Sequence, residues 1–239
     1  MSEKQIRLIC KKNDSIEITD EAFNFLLSLK YENIYIISVN GPSHNILSNK
    51  LISKENDGFN PNEENIYLWS KLIDLNENNK ILIIEYNGTK NNNIFLLNLL
   101  ISSYYIYATN DDLNDSNINN FLNDVNIKDS ICFKNKEYMP DIIFINDKLK
   151  KEELKNKIEN NPEYNTHELI NIYKSIKYLR NIDNPKLINL IKNESVSKKC
   201  LDGESLFGLI QNLINSINHD EKINIDISYE NIFFKQSKK

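Results

Sequence analysis

Short runs of apolar residues recur along the chain, separated by stretches in which the apolar residues lie three or four positions apart. The longest runs are apolar throughout, which is typical of strands buried on both faces of a parallel sheet. Four of them are expected to be the central strands: Ile34–Val39, Ile81–Ile84, Tyr104–Tyr107 and Ile142–Ile145. Helical patterns lie between them, so the sequence predicts a three-layer α/β fold, a mainly parallel sheet with helices on both faces.

Weaker patterns predict the surrounding elements. Further strands are expected at Gln5–Cys10, Ile66–Leu75 and Ile176–Leu179, and helices at Thr19–Leu29, Ile94–Ile101, Ile118–Val125, Lys148–Asn160, Thr166–Tyr173, Pro185–Ile191 and Ser205–Ile217. Thr19 is expected to cap the first of these helices. The buried stripe of that helix is predicted to contain Phe23, Leu26 and Leu27.

The length and charge of the chain limit the classes of protein to which it could belong. With 239 residues, of which 40% are hydrophobic, it is expected to form one domain over residues 1–239. Apolar residues alternate near the end of the chain, so the tail over residues 221–239 is expected to be extended or flexible. The formal net charge of −5 and the pI of about 5.4 argue against a nucleic-acid binder that works through bulk charge.

The cysteines and the apolar runs indicate where the protein works. Cys10, Cys132 and Cys200 are far apart and form no C-x-x-C pair, which favours a reducing compartment and excludes an obvious zinc site. The charged N-terminus lacks the apolar core of a signal peptide. The most apolar run, Ile94–Ile106, is too short to span a bilayer. We therefore expect a soluble, cytoplasmic protein with no transmembrane segment.

A glycine-containing loop follows the first of the four predicted central strands. Strand, loop and helix follow one another here as in the phosphate-binding motif G-x-x-x-x-G-K-[ST]. Without gaps, Gly41 takes the place of the first glycine and Ser48 that of the last residue. Ile46 and Leu47 then replace the second glycine and the lysine, so the loop lacks the residues that close on phosphates and neutralise them. A gap in the alignment makes Lys50 a candidate for the lysine, and the alternative is a plain strand-to-helix turn.

Further segments resemble one known family. They are, in chain order, Ile6–Lys11, Glu17-Ile18, Ser38–Pro42, Asn49–Leu51, Gly58-Phe59, Trp69, Ile81–Gly88 and Pro140–Asp147. Together they resemble the GTPase domain of the guanylate-binding protein and atlastin group of dynamin-like large GTPases, over nearly the whole chain. The resemblance implies a P-loop GTPase-like fold. It also implies a vestigial nucleotide site formed by Gly41, Pro42, Ser48, Gly88 and Asp147.

The departures from the family pattern fall on the residues that perform the chemistry. His44 stands where the family has its catalytic arginine, and the first switch contains Glu63 and Glu64 but no Ser or Thr. The motif Asp-Thr-Glu-Gly has become Glu85–Gly88, and Asn146 replaces the arginine of the Arg-Asp guanine motif. Phosphoryl transfer depends on positioning and charge neutralisation, and a catalytic arginine alone contributes roughly 10³–10⁵ in rate. We therefore expect no catalytic residues, no bound metal and no enzymatic activity.

Two functions fit these observations. The first is a pseudo-GTPase that acts as a protein-interaction or scaffold module, since family members pair through their GTPase domains. The resemblance then implies a homodimer, or a heterodimer with an active relative. The contact surface is expected near Pro42–Asn45 and Glu85–Asn91, with His44 and Tyr86 in it. The alternative for Tyr86 is an exposed tyrosine without a role.

The second function is a nucleotide-dependent switch. Asp147 would still recognise guanine, with weak GTP or GDP binding and no efficient hydrolysis, and a partner would complete the phosphate site. For Asp147 alone, the competing interpretations are a carboxylate at a strand end and a helix N-cap. For Ser48, the competing interpretation is a surface residue of a helix.

Overall fold

The computed structural model describes residues 4–12, 15–41, 47, 51, 65–87, 92–109, 127–160, 169, 171–180, 187, 189–191, 193 and 200–236. The strands are β1 (Gln5–Arg7), β2 (Ile9–Lys12), β3 (Ser15–Ile18), β4 (Asn33–Asn40), β5 (Asn65–Trp69), β6 (Ile73–Asp74), β7 (Asn79–Asn87), β8 (Tyr104–Thr109), β9 (Ile131–Cys132), β10 (Asp141–Asn146), β11 (Ser175–Arg180) and β12 (Ile223–Asn224). The α-helices are α1 (Asp20–Ser28), α2 (Asn92–Ile101), α3 (Lys151–Glu159), α4 (Gly203–Asn218) and α5 (Ile225–Gln236).

One eight-stranded sheet dominates the fold. Its order is β1-β5-β7-β4-β8-β10-β11, and β6 pairs with β7. From β7 to β11 the neighbours are parallel, whereas β1, β5 and β6 run antiparallel to the strands they pair with. All four predicted central strands lie in the parallel part of the sheet, so the predicted α/β fold with a mainly parallel sheet is confirmed.

Alternate residues of the central strands pack into two separate cores. Ile36, Leu82 and Phe144 face one core, which α1, α2, α4 and α5 complete. Ile37 and Ile83 face the other core, which contains Leu47, Leu51, Leu187 and Ile191, all of them in helical conformation. The sheet is therefore the middle of three layers. Because both of its faces are covered, its strands need apolar residues at consecutive positions.

Several predicted elements differ in detail from the structure. The strand expected at Gln5–Cys10 is divided at Leu8 between the main sheet and the β2–β3 hairpin. The strand expected at Ile66–Leu75 is divided into β5 and β6. The helix expected at Ile118–Val125 lies outside the described residues. The helices expected at Thr166–Tyr173 and Pro185–Ile191 are described only in part, and residues 169, 171, 172, 187 and 189–191 are in helical conformation.

Thr19 begins α1 as predicted. Its hydroxyl oxygen accepts a hydrogen bond from the backbone N–H of Ala22 at 3.2 Å, which satisfies one of the free N–H groups of the first turn. The buried stripe of α1 differs from the predicted one. Ala22, Phe25 and Leu26 are buried, whereas Phe23 and Leu27 are half-buried. The stripe is therefore rotated so that Phe23 lies at its edge, where its ring contacts Phe207 of α4 at 4.8 Å between centroids.

The described part of the predicted tail is mostly helical, because Ile225–Gln236 form α5, which folds back onto the domain. The carboxylate of Asp226 accepts hydrogen bonds from the backbone N–H groups of Lys134 at 2.6 Å and Asn135 at 3.0 Å. The hydroxyl of Tyr229, which is fully buried, donates to the carbonyl of Leu100 at 2.9 Å. The ring of Tyr229 stacks on Tyr138, with 4.9 Å between centroids. These contacts fix α5 to the segment before β10 and to α2.

The prediction of a helix at Ser205–Ile217 is confirmed by α4, which packs closely on α1. Asp202 caps α4 by accepting a hydrogen bond from the N–H of Ser205 at 2.7 Å. At Gly203 the two helices approach so closely that an added Cβ would lie 1.9 Å from the carbonyl oxygen of Leu26. Only glycine fits this contact.

In the described part of the chain, no helix is both long enough and apolar enough to cross a membrane.

Candidate functional site

The candidate site lies where the parallel strands end. In an open α/β sheet, ligands bind outside the carboxyl ends of the strands, at the point where the chain leaves two neighbouring strands in opposite directions. Here β4 lies between β7 and β8, and the connections after β4 lead first to β5 and β7 on one side of it, and then to β8 on the other. Gly41 follows β4, and Asp147 follows β10 at the same edge of the sheet. The sheet therefore brings the two predicted residues to one edge.

Four of the predicted site residues are not described by the structure: Pro42, His44, Ser48 and Gly88. The same holds for Lys50, the alternative candidate for the missing lysine, and for Glu63 and Glu64. The geometry of the site therefore rests on Gly41, Glu85, Tyr86, Asn146 and Asp147, together with the neighbours that contact them.

Gly41 is required by its contact with the neighbouring strand. Its φ is +95°, a backbone conformation that residues with a side chain rarely adopt. A Cβ at this position would lie 2.5 Å from the carbonyl oxygen of Ala108 in β8. The N–H of Gly41 donates to the side-chain oxygen of Asn40. The glycine is thus explained by the turn that ends β4, without reference to a phosphate group.

Two polar pairs near this turn were not identified from the sequence, one of them half-buried and the other buried. The amide nitrogen of Asn40 donates to the hydroxyl oxygen of Tyr105 at 2.6 Å. Deeper in the core, the amide nitrogen of Asn98 donates to the hydroxyl of Ser38 at 2.7 Å, and both residues are fully buried. The amide oxygen of Asn98 has no hydrogen-bond partner among the described residues. The alternation of Ser38 and Asn40 on one face of β4 is the signal that could have indicated a polar strip.

Glu85 occupies the position at which the family has the Asp of Asp-Thr-Glu-Gly. Its side chain is only 1% exposed, and its Oε2 accepts a hydrogen bond from the amide nitrogen of Gln5 at 2.7 Å. Gln5 belongs to β1, which lies two strands away from β7 and on the side opposite to β4. This hydrogen bond directs Oε2 toward β1, on the side of β7 opposite to β4.

Tyr86 belongs to the core. It is 4% exposed, and its ring contacts Phe95 of α2 edge-on with 6.0 Å between centroids. Phe95 in turn contacts Tyr105 in the same manner at 5.8 Å. The expectation that Tyr86 anchors a protein interface required an exposed ring, so this burial removes its basis. The alternative of an exposed tyrosine without a role fails for the same reason.

Asn146 shapes the loop that carries Asp147. Asn146 is fully buried, and its side-chain oxygen accepts hydrogen bonds from the N–H groups of Lys148 at 2.9 Å and Leu149 at 2.7 Å. This is an Asx turn, in which a side chain takes the part of a backbone acceptor. Asp147 is half-buried. The helix that follows is capped at Lys150, so the interpretation of Asp147 as an N-cap is wrong.

Leu47 stands at the position of the phosphate-loop lysine in the ungapped alignment. It is fully buried and belongs to the second core of the sheet, together with Leu51. Leu47, which is in helical conformation, therefore packs onto the sheet. It cannot supply a positive charge to an anion at the sheet edge.

Comparison with known proteins does not identify a family for this chain. No protein-family model matches the sequence, and neither does any curated protein.

Proposed function

We propose that the protein is a catalytically inactive pseudo-GTPase, similar to the guanylate-binding protein and atlastin group, that acts as a protein-interaction or scaffold module. The parallel sheet covered on both faces supports this proposal, as does a glycine turn at the end of β4, next to the point where strand connections diverge. Such a fold is compatible with many functions, so the argument depends on the site residues.

The observation that carries the proposal is the burial of the Glu85 carboxylate and its hydrogen bond to Gln5. A GTPase needs a carboxylate near the phosphates to help hold a magnesium ion. At the corresponding position, the carboxylate of Glu85 is buried and hydrogen-bonded to Gln5 on the edge strand. Releasing it toward a metal would break this bond and leave the amide of Gln5 without its acceptor. In this chain, Glu85 therefore stabilises the sheet by linking β7 to β1.

The other positions support the same proposal. Leu47 packs in the core where the family has its phosphate-binding lysine. Asn146, in place of the family's arginine, uses its side chain to hold its own loop. Positioning and charge neutralisation provide nearly all of the catalysis of phosphoryl transfer. A site without these charges has little means to hold or cleave a triphosphate, so we propose that the chain does not hydrolyse GTP.

The test is the thermal stability of the isolated protein with GTP and magnesium. A ligand that binds only the folded state at a hundredfold excess over its Kd stabilises it by about 2.7 kcal/mol. For a domain of this size, 1 kcal/mol moves the unfolding midpoint by roughly 2–4 °C. Millimolar GTP on a ~10 μM site would therefore raise the midpoint by about 5–10 °C. We expect a change below about 1 °C in differential scanning fluorimetry.

The same measurement separates this proposal from the nucleotide-dependent switch. Guanosine and GDP are included, because Asp147 alone could bind guanine without phosphates. A shift of several degrees with GTP that disappears in Asp147→Ala would replace the scaffold proposal by the switch. A shift that survives the substitution would place the nucleotide elsewhere on the protein. Asp129→Ala is the matched control, since it removes a carboxylate from a different segment.

The proposed scaffold needs a partner, which the resemblance suggests is a second copy or an active relative. Sedimentation velocity of the purified chain tests the homodimer, because a pair would have twice the 28.0 kDa mass of one chain. Affinity purification from native extract tests the heterodimer, which we expect to recover a chain with an intact G-x-x-x-x-G-K-[ST] loop. If the purified chain sediments as a monomer and the affinity purification recovers no such chain, neither form of pairing takes place.

A further inference from the structure

A groove on another part of the surface has the features of a peptide-binding site. It is a cavity of about 400 Å³ between β3, the start of α1 and one side of α4. Of the candidate nucleotide-site residues that the structure describes, neither Gly41 nor Asp147 lines it. The inference drawn from it is therefore independent of whether the chain binds GTP.

The outer edge of β3 faces this groove with its backbone groups. The N–H of Thr19 donates to the carbonyl of Leu8, so Thr19 belongs to the residues that are hydrogen-bonded to the neighbouring strand. In an antiparallel pair, alternate residues point their N–H and C=O groups toward and away from the partner strand. The backbone N–H and C=O groups of Ile16 and Ile18 therefore point away from β2, toward the side where the groove lies.

Asn218 already imitates a neighbouring strand at one of these two positions. Its side-chain oxygen accepts from the N–H of Ile16 at 2.9 Å, and its side-chain nitrogen donates to the carbonyl of Ile16, also at 2.9 Å. One residue of an added antiparallel strand would make the same pair of bonds through its own N–H and C=O groups. Asn218 is exposed, so its side chain can leave without opening the core.

The groove offers an apolar wall beside this strand edge. Phe23 and Phe207 are both half-buried and lie 4.8 Å apart between ring centroids. Ile18 is half-buried next to them in the same groove. Side chains that alternate along a strand would place every second residue of a bound peptide toward this wall.

The charges that line the groove favour basic side chains in a strand bound beside β3. Its lining contains two carboxylates, those of Glu17 and Asp20, and no Lys, Arg or His among the described residues. Both carboxylates are exposed. Glu17 forms a loose ion pair with Lys12 at 3.7 Å, and both partners of that pair are exposed to water. Opposite charges on neighbouring strands attract, so Lys or Arg is favoured beside Glu17.

We propose that this groove binds an extended segment of a partner protein in which lysine or arginine alternates with aliphatic residues. The segment adds as a strand beside β3 and displaces the side chain of Asn218 from Ile16. Its aliphatic side chains pack on Phe23 and Phe207, and its basic side chains lie beside Glu17 and Asp20. Affinity comes from the backbone hydrogen bonds and specificity from the two side-chain faces.

The test uses the fluorescently labelled peptide acetyl-Lys-Val-Lys-Val-Lys-Val-Lys-amide and the full chain in a fluorescence anisotropy titration. We expect saturable binding of this peptide and none of the peptide in which every Lys is replaced by Glu. Glu17→Lys is expected to weaken the binding about tenfold, which corresponds to 1.4 kcal/mol. Glu152→Lys, a charge reversal at an exposed position of α3, is the matched control and should leave the binding unchanged.

Two further measurements distinguish strand addition from general attraction between charges. N-methylation of alternate peptide residues removes the N–H groups of one strand edge, so only one of the two possible methylation patterns is expected to abolish binding. Asn218→Ala removes the competing side chain and is expected to tighten binding by roughly fivefold, the equivalent of one net hydrogen bond.

The proposal is overturned if the basic peptide does not bind, or if both methylated peptides bind as well as the parent. Equal weakening by Glu17→Lys and Glu152→Lys would also overturn it, since that result would show attraction by the net charge alone. Circular dichroism of each variant confirms that a loss of binding is not a loss of fold.

Discussion

Gly203→Ala is expected to lower the free energy of unfolding by about 3 kcal/mol, which is the upper end of the range for overpacked interiors. The added Cβ would lie 1.9 Å from the backbone oxygen of Leu26. Backbone cannot rotate away as a side chain can, so α1 and α4 must move apart along their contact. Urea unfolding followed by circular dichroism measures the change. The thermal midpoint is expected to fall by roughly 6–12 °C in the same variant.

Gly208→Ala, in the same helix, is the matched control. Its Cβ would approach only the end of the Ile232 side chain, at 3.1 Å, which can move by a small rotation. Alanine in a helix interior is about 1 kcal/mol more favourable than glycine. The stability of this variant is therefore expected to stay the same or rise by up to about 1 kcal/mol. Equal losses in both variants would show that the contact with α1 is not the cause.

Tyr86→Ala is expected to lower the free energy of unfolding by about 3–5 kcal/mol, as for other large aromatic residues cut back in a core. Tyr86 is 4% exposed and packs against Phe95, so its removal leaves a cavity between β7 and α2. Tyr31→Ala is the matched control, since this tyrosine is 87% exposed and the ammonium of Lys30 lies over its ring at 4.8 Å from the centroid. We expect that variant to change stability by no more than about 0.5 kcal/mol.

The comparison of the two tyrosines also tests the role of Tyr86 in binding. If Tyr86→Ala loses stability as expected, a loss of partners in a pull-down reflects unfolding. If it keeps its stability and still loses a partner, the ring must be exposed in solution, and the interface role of Tyr86 would have to be reconsidered. Urea unfolding and the pull-down are therefore performed on the same preparations.

The sequence was sufficient to predict the sheet, because buried parallel strands require continuous apolar runs and few other structures do. It was not sufficient at the end of the chain. Ile223, Ile225 and Ile227 alternate as in a strand, yet the buried apolar residues in the described part of α5 are Ile225, Tyr229 and Ile232, at helical spacing. The apolar residues of this segment fit both the two-residue period of a strand and the 3.6-residue period of a helix. Packing against α2 and α4 determines that it forms a helix.

The candidate site could be predicted only in part, for a related reason. The end of β4 and the end of β10 follow from the strand pattern. The partners of Glu85 and Asn146 do not, because Gln5 lies 80 positions away along the chain from Glu85 and the Asx turn depends on local backbone geometry. The strand and helix pattern likewise did not predict that Tyr86 is buried. Whether a polar residue serves a ligand or the fold is determined by these contacts.

The contact between α1 and α4 has a consequence for how the protein is made. The buried stripe of α1 is covered by a helix that is synthesised long after it, and the backbone of Ile16 in β3 is bonded to Asn218, 202 positions later. At a translation rate of about 5–20 residues per second, α1 waits roughly 10–35 s for α4. During that time its apolar stripe is without its final partner, a state that favours aggregation. Slow elongation or a chaperone acting on the nascent chain would therefore affect the yield of this protein more than its final stability.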